Sequence, residues 1–153
     1  MLRIGLISDT HGLLRPEAAA FLEGSDYIIH AGDICDASII KKLETIAPVT
    51  AVRGNNDKGS EANDLREMEL LQIGSVWIYV IHDLSSLDAS LIESKVRVVI
   101  SGHSHKPHCS QRDGVLYINP GSAGPRRFKL PISAAELMIE DSSISARIHE
   151  FTV

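Results

Sequence analysis

Four imidazoles, two carboxylates and one carboxamide sit in this chain at positions that can hold metal. His103 and His105 lie one residue apart in VVISGHSHKPH, residues 98–108. Residues two apart in extended chain point to the same side, so the spacing predicts that both rings converge on one point. Gly102 permits a tight turn before them and Pro107 stiffens the exit. One His-x-His pair is a weak signal. Matching donors follow other apolar runs, however: Asp9 and His11, then Asp33, Asn55 and His82. Carboxylate, amide oxygen and imidazole together suit borderline ions such as Mn²⁺, Fe²⁺, Ni²⁺ or Zn²⁺. Mg²⁺ and Ca²⁺ favour all-oxygen cages. Cys35 and Cys109 have no ligand-like spacing, and Cys35 reads as a small buried residue.

Each residue alone has a plain structural reading. Asp9 and Asp33 suit turns or N-caps, Asn55 suits a left-handed turn after Gly54, and His82 suits a strand edge. Together they would be several coincidences at one place. The elements before them explain why they share it. Leu2 to Ser8, Tyr27 to His30, Val49 to Val52, Val76 to Ile81 and Val96 to Ile100 read as strands. Every candidate stands just after one of them. Open α/β sheets place binding sites at the carboxyl ends of their strands.

The remaining chain fits that frame. Pro16 opens a helix over Glu17 to Glu23, with Gly24 stopping it, and Asp36 caps a second through Leu43. Glu67 to Ile73 and Val76 to Ile81 form a hairpin. A helix is expected around Leu87 to Ser94. A second hairpin turns at Arg112 to Val115, between a strand near His108 and one over Val115 to Ile118. Ala134 to Glu140 and Ser143 to Phe151 close the chain as strands, and residues 57–66 read as a surface loop. The order is β-α-β-α-β followed by mostly hairpins: an α/β fold with an antiparallel-rich second half.

The 153 residues suffice for a single domain, residues 1–153, with a real core. A net charge of −5 and 5% aromatic residues give no footing for a long nucleic acid or an anionic membrane. No run of about eighteen apolar residues suggests a membrane span, and the N-terminal apolar run is too short for a signal peptide. Two distant cysteines fit a reducing, cytoplasmic setting.

DTH at 9–11, GD at 32–33, GNND at 54–57, the strand-end His82 and GHSH at 102–105 resemble the calcineurin-like metallophosphoesterases, in that family's order. NPGS at 119–122, followed by Pro125-Arg126, is similar to their small single-domain YfcE-type branch. The resemblance implies an α/β/β/α sandwich with a dinuclear centre, Mn²⁺ being the first expectation and Ni²⁺, Fe²⁺ or Zn²⁺ the others. It implies Asp9, His11 and His105 on one metal, Asn55, His82 and His103 on the other, and Asp33 between them. Asp33, Asn55, Asp57 and His82 form the implied catalytic group. The NPGS turn is either a structural segment near the site or an ordinary small-residue loop.

Two departures stand out. Larger relatives read GNH followed by an acid, the histidine standing beside the leaving group. Here Asn56 takes that place, with Asp57 as the acid. Glycine commonly follows the hairpin histidine, where this chain has Asp83.

A pair of cations can clamp both oxygens of an in-line displacement at phosphorus. The expected activity is therefore phosphodiester hydrolysis by a hydroxide held between the metals, with no protein nucleophile. Arg53 or Arg126 would either clamp phosphate or make surface salt bridges. The expected substrate is a small phosphodiester or nucleotide-like molecule. A homo-oligomer is compatible with this reading. The rival is a binding scaffold on the same fold, as in the retromer subunit related to this branch.

Overall fold

Strand β1 (Leu2–Ile7) shows how the layers arise. Ile4 and Leu6 point into one core and Ile7 into another, all fully buried. Period-two alternation with both faces apolar demands packing on both sides of the sheet. The computed structural model, which describes residues 1–92 and 95–153, supplies it.

Among the described residues ten strands form two five-stranded sheets. The first has the order β10 (Ser143–Phe151), β9 (Ile132–Glu140), β1, β2 (Tyr27–His30), β3 (Val49–Ala51). The second has the order β4 (Met68–Ile73), β5 (Val76–Ile81), β6 (Val96–Ile100), β8 (Val115–Asn119), β7 (His108–Arg112). Ile4, Leu6, Ile29 and Leu137 from the first sheet meet Ile78, Val80, Val98 and Ile100 from the second in a shared core. Helices α1 (Pro16–Leu22) and α2 (Ala37–Glu44) cover the outer face of the first sheet through Ala18, Leu22, Ile39 and Leu43. Pro16 opens α1, and Asp36 caps α2 by accepting from the Ser38 N–H at 2.9 Å. Tyr79, Ile81 and Val99 face out of the second sheet, where Leu87 packs on them. The sandwich is thus the α/β/β/α type expected. Among the described residues no helix is long and apolar enough to cross a membrane.

Three sequence readings need correction. The second half is less antiparallel than expected, because β5, β6 and β8 run parallel at the centre of their sheet. Strands that are buried on both faces read as plain apolar runs and hide their direction. Residues 57–66 are organised: Ser60–Asp64 forms a 3₁₀ turn, and the Arg53 guanidinium donates to the Ala62 and Leu65 carbonyls. The helix expected over Leu87 to Ser94 shrinks to α3 (Ala89–Ile92), and residues 93 and 94 lie outside the described residues. Asp88 accepts from both the N–H and the hydroxyl of Ser90 at its start.

The topology positions the site. Strands β1, β2 and β3 are mutually parallel, as are β5 and β6. The loops that leave their carboxyl ends carry all seven candidate ligands.

Candidate metal centre

The strand-end loops are laced together before any side chain acts. Asp9 N–H donates to Gly32 O, His11 N–H to Asp33 O, and Gly102 N–H to His82 O, at 2.9–3.0 Å. Such close approach leaves no room for side chains. A Cβ on Gly54 would overlap Asp33, and one on Gly102 would overlap Ser8 and lie 2.6 Å from Asp9 Oδ2. The turns are also strained: Asp9, His11, Asp33, His103 and His105 all have φ between 45° and 72°. That region is unfavourable for residues other than glycine, with Asp, Asn and His the most tolerant. Five of the seven candidates therefore sit in backbone held by its surroundings.

Asp9 is fully buried and splits its two oxygens between tasks. Oδ2 accepts from the Ser8 hydroxyl at 2.7 Å and the His103 N–H at 3.1 Å. Oδ1 has no hydrogen-bond partner and faces His105 Nε2 at 3.4 Å, His11 Nε2 at 3.8 Å and His82 Nε2 at 3.9 Å. Asp33 Oδ2 lies 3.3 Å from His82 Nε2 and 3.6 Å from His11 Nε2. Asn55 Oδ1 stands 3.1 Å from His82 Nε2 and 3.2 Å from His103 Nδ1. The two neighbouring histidines do not converge on one point. His105 turns to Asp9 and His11, whereas His103 turns to Asn55 and His82, because both residues leave the extended conformation.

The donors fit a cation. His82 Nδ1 donates to the Ala31 carbonyl at 2.7 Å, which fixes the tautomer. Its Nε2 lone pair then points at Asp33 Oδ2 and Asn55 Oδ1, both acceptors, and only a proton or a metal reconciles them. The buried Asp9 Oδ1 and His11 Nε2 likewise lack a hydrogen bond. Such orphaned polar atoms are expensive unless something occupies the space between them. Two groups of ligand atoms arise, Asp9–His11–His105 and Asp9–Asp33–His82.

The charges follow the same geometry. Burial raises the Asp9 pKa against the pull of Ser8, His82 and His105. Burial likewise opposes ionisation of Asp33, but hydrogen bonds from His82 and from Asn56 overcome it and hold this carboxyl well below the usual range. Burial works against a charged His82, yet Asp33, Asp9 and the Ala31 carbonyl lift its pKa. His105 is lowered by burial, which with the Arg127 and His11 charges outweighs the attraction of Asp9.

Supporting residues surround these. Asp57 is buried behind the site, and its oxygens accept from four backbone amides: Asp33, Ile34, Cys35 and Gly54, at 2.8–3.0 Å. Counted from the sequence with the catalytic group, it is placed as a positioning residue. NPGS is a brace. Asn119 donates to Gly102 O and Ser104 Oγ, and Ser122 donates to Asp9 O. Asp83 caps the turn at Ser85 with one oxygen and sets the other 3.8 Å from His103 Nε2. Arg53 and Arg126 donate to backbone carbonyls, and among the described residues no salt bridge engages either of them. Cys35, expected buried, is exposed beside His11 Nδ1 at 3.8 Å.

One residue escaped the sequence reading. His30 is fully buried under the loops: Gly32 N–H donates to its Nδ1 at 3.1 Å, so Nε2 carries the proton and donates to Thr10 Oγ1 at 3.0 Å. Burial, with the His82 charge, lowers its pKa to about 3. Its place at the end of an apolar strand, beside GD, was the only available signal.

A model of the calcineurin-like phosphoesterase superfamily domain matches residues 2–142. A probable metallophosphoesterase of Methanothermobacter thermautotrophicus is 36% identical, over 95% of this chain and 90% of that protein. A phosphodiesterase of Methanocaldococcus jannaschii is 30% identical, over 78% of this chain and 83% of its own. Vps29 of Chaetomium thermophilum overlays with a TM-score of 0.85 at 19% identity, over 99% of this chain and 90% of that one, a likeness of fold alone. The chain belongs to the calcineurin-like phosphoesterase superfamily.

Proposed function

We propose that the protein is a metal-dependent phosphodiesterase acting on small phosphodiesters. The carrying observation is the convergence of Asp9 Oδ1 and Asp33 Oδ2 on the Nε2 atoms of His11, His82 and His105, with no proton donor to satisfy Asp9 Oδ1. Asp9, His11 and His105 would hold one divalent ion, and Asn55, His82 and His103 a second, with Asp33 shared. Such ions supply positive charge that polarises a phosphoryl group and eases deprotonation of water. The chain's own part is placement. Asp57 fixes the Asp33 loop, NPGS fixes the Asp9 and His103 loops, and Asn56 keeps Asp33 ionised.

The name of the Methanocaldococcus relative supports diester over monoester substrates. The mixed donor set suits borderline ions, and among these the family resemblance makes Mn²⁺ the first expectation. The test is hydrolysis of bis(p-nitrophenyl) phosphate by purified protein with Mn²⁺, Ni²⁺ or Zn²⁺ added, and with chelator. Turnover that chelator abolishes and metal restores supports the proposal. Silence with every ion favours the binding-scaffold reading, which the Vps29 fold likeness keeps in view.

A further inference from the structure

Beside the His103 flank of the centre lies a cavity of about 920 Å³ whose walls include Lys106, Arg127, Phe128 and Lys129. Phe128 is 88% exposed, the most exposed large hydrophobic side chain among the described residues. It sits at φ 54° in a turn closed by Leu130 N–H to Arg127 O at 3.1 Å. Positive φ at that position favours Gly, Asn or Asp, and an aromatic ring there is disfavoured both by backbone and by exposure. The turn is nevertheless pinned, since Arg126 donates to Leu130 O and to Val153 O. A strained, presented aromatic ring is a reason to look for a ligand.

The charges beside it point the same way. Among the described residues no ion pair engages Lys106, Arg127 or Lys129. In a chain of net charge −5, three unpaired cations face one cavity next to the metal ligands. Arg127 also lies close enough to act electrostatically on His105.

We infer that this cavity is a substrate subsite for a nucleotide, with the base stacked on Phe128 and a phosphate other than the scissile one held by Arg127, Lys129 and Lys106. The inference rests on the phosphodiesterase reading and specifies its substrate class. Stacking on an aromatic ring is tolerant of base identity, so the site selects nucleotides over plain esters rather than one base over another.

Three esters with the same leaving group test it: methyl p-nitrophenyl phosphate, thymidine 5′-(p-nitrophenyl phosphate), and the latter with a 3′-phosphate. The expected kcat/KM rises in that order, by roughly tenfold per added group. Phe128→Ala should remove the gain from the nucleoside, and Lys129→Gln should cut the gain from the 3′-phosphate, both through KM. Neither variant should change turnover of the methyl ester. Equal kcat/KM for all three esters, or equal losses in the variants, overturns the subsite while leaving the phosphodiesterase reading intact. Calorimetric binding of thymidine 3′,5′-bisphosphate to metal-stripped protein separates the two claims. Binding that Phe128→Ala weakens, in a protein that hydrolyses none of the esters, keeps the subsite and sinks the enzyme reading; absence of binding overturns the subsite.

Discussion

Asn56 holds both oxygens of Asp33, donating from its backbone N–H to Oδ1 at 2.8 Å and from its side-chain amide to Oδ2 at 2.9 Å. Asn56 stands where the GNH pattern has a histidine, so this chain places an amide donor on Asp33 at that position and lacks the acid. Without a positioned acid, alkoxide leaving groups depart slowly. Asn56→His should raise turnover of alkyl phosphodiesters by about 10²-fold, the low end for general acid catalysis, with little change for nitrophenyl esters. Steady-state rates on both ester types check it, and an unchanged alkyl rate contradicts it.

Asp57 is predicted to act through structure. Asp57→Ala strands four backbone N–H groups around Asp33 and Gly54. With roughly 1–3 kcal/mol for each buried group left unsatisfied, tempered by local relaxation, the variant should be destabilised by about 3 kcal/mol or more in urea unfolding. A lower rate with unchanged stability would return Asp57 to the reacting groups.

His30 predicts a pH dependence. Its folded pKa of about 3 lies below the ordinary imidazole value of 6.5. Between these values the unfolded chain binds the extra proton, so His30's contribution is fully present above pH 6.5 and declines as pH falls towards 3. Relative to His30→Gln, metal-free wild type should lose about 1.4 kcal/mol of stability per pH unit across that window. Parallel stability curves for the two proteins would place a charged His30 in the fold.

Asp83, which departs from the family pattern, faces the outer nitrogen of His103 at 3.8 Å. Carboxylates behind metal-binding histidines orient the ring and raise its basicity. Asp83→Gly should therefore weaken the proposed Asn55–His82–His103 metal site by about tenfold and leave the proposed Asp9–His11–His105 site unchanged, as read by chelator competition. Equal weakening of both sites, or of neither, contradicts this role.

The fold was legible because each parallel strand announces itself twice, once by an apolar run and once by the polar residues after it. Asp9, Asp33 and His82 could be placed at one edge on that ground alone. Other features were hidden. Strands β5, β6 and β8 are buried on both faces, so their apolar runs carried no sign of direction. The split between His103 and His105 depends on positive φ at both residues, which no side-chain spacing records. Partners of long side chains were equally invisible: Arg53 donates to the Ala62 and Leu65 carbonyls, and Arg126 to those of Leu130 and Val153. The exposed Phe128 and Arg127 lay beside a noted Arg126 without any periodic pattern to mark them.

The most direct measurement is metal stoichiometry by elemental analysis after reconstitution with Mn²⁺, on wild type and Asp33→Asn. Two ions per wild-type chain are expected, and loss of both together with phosphodiesterase activity in the variant, because Asp33 Oδ2 stands between His11 and His82. Two ions retained by Asp33→Asn, or none bound by the wild type, would contradict it.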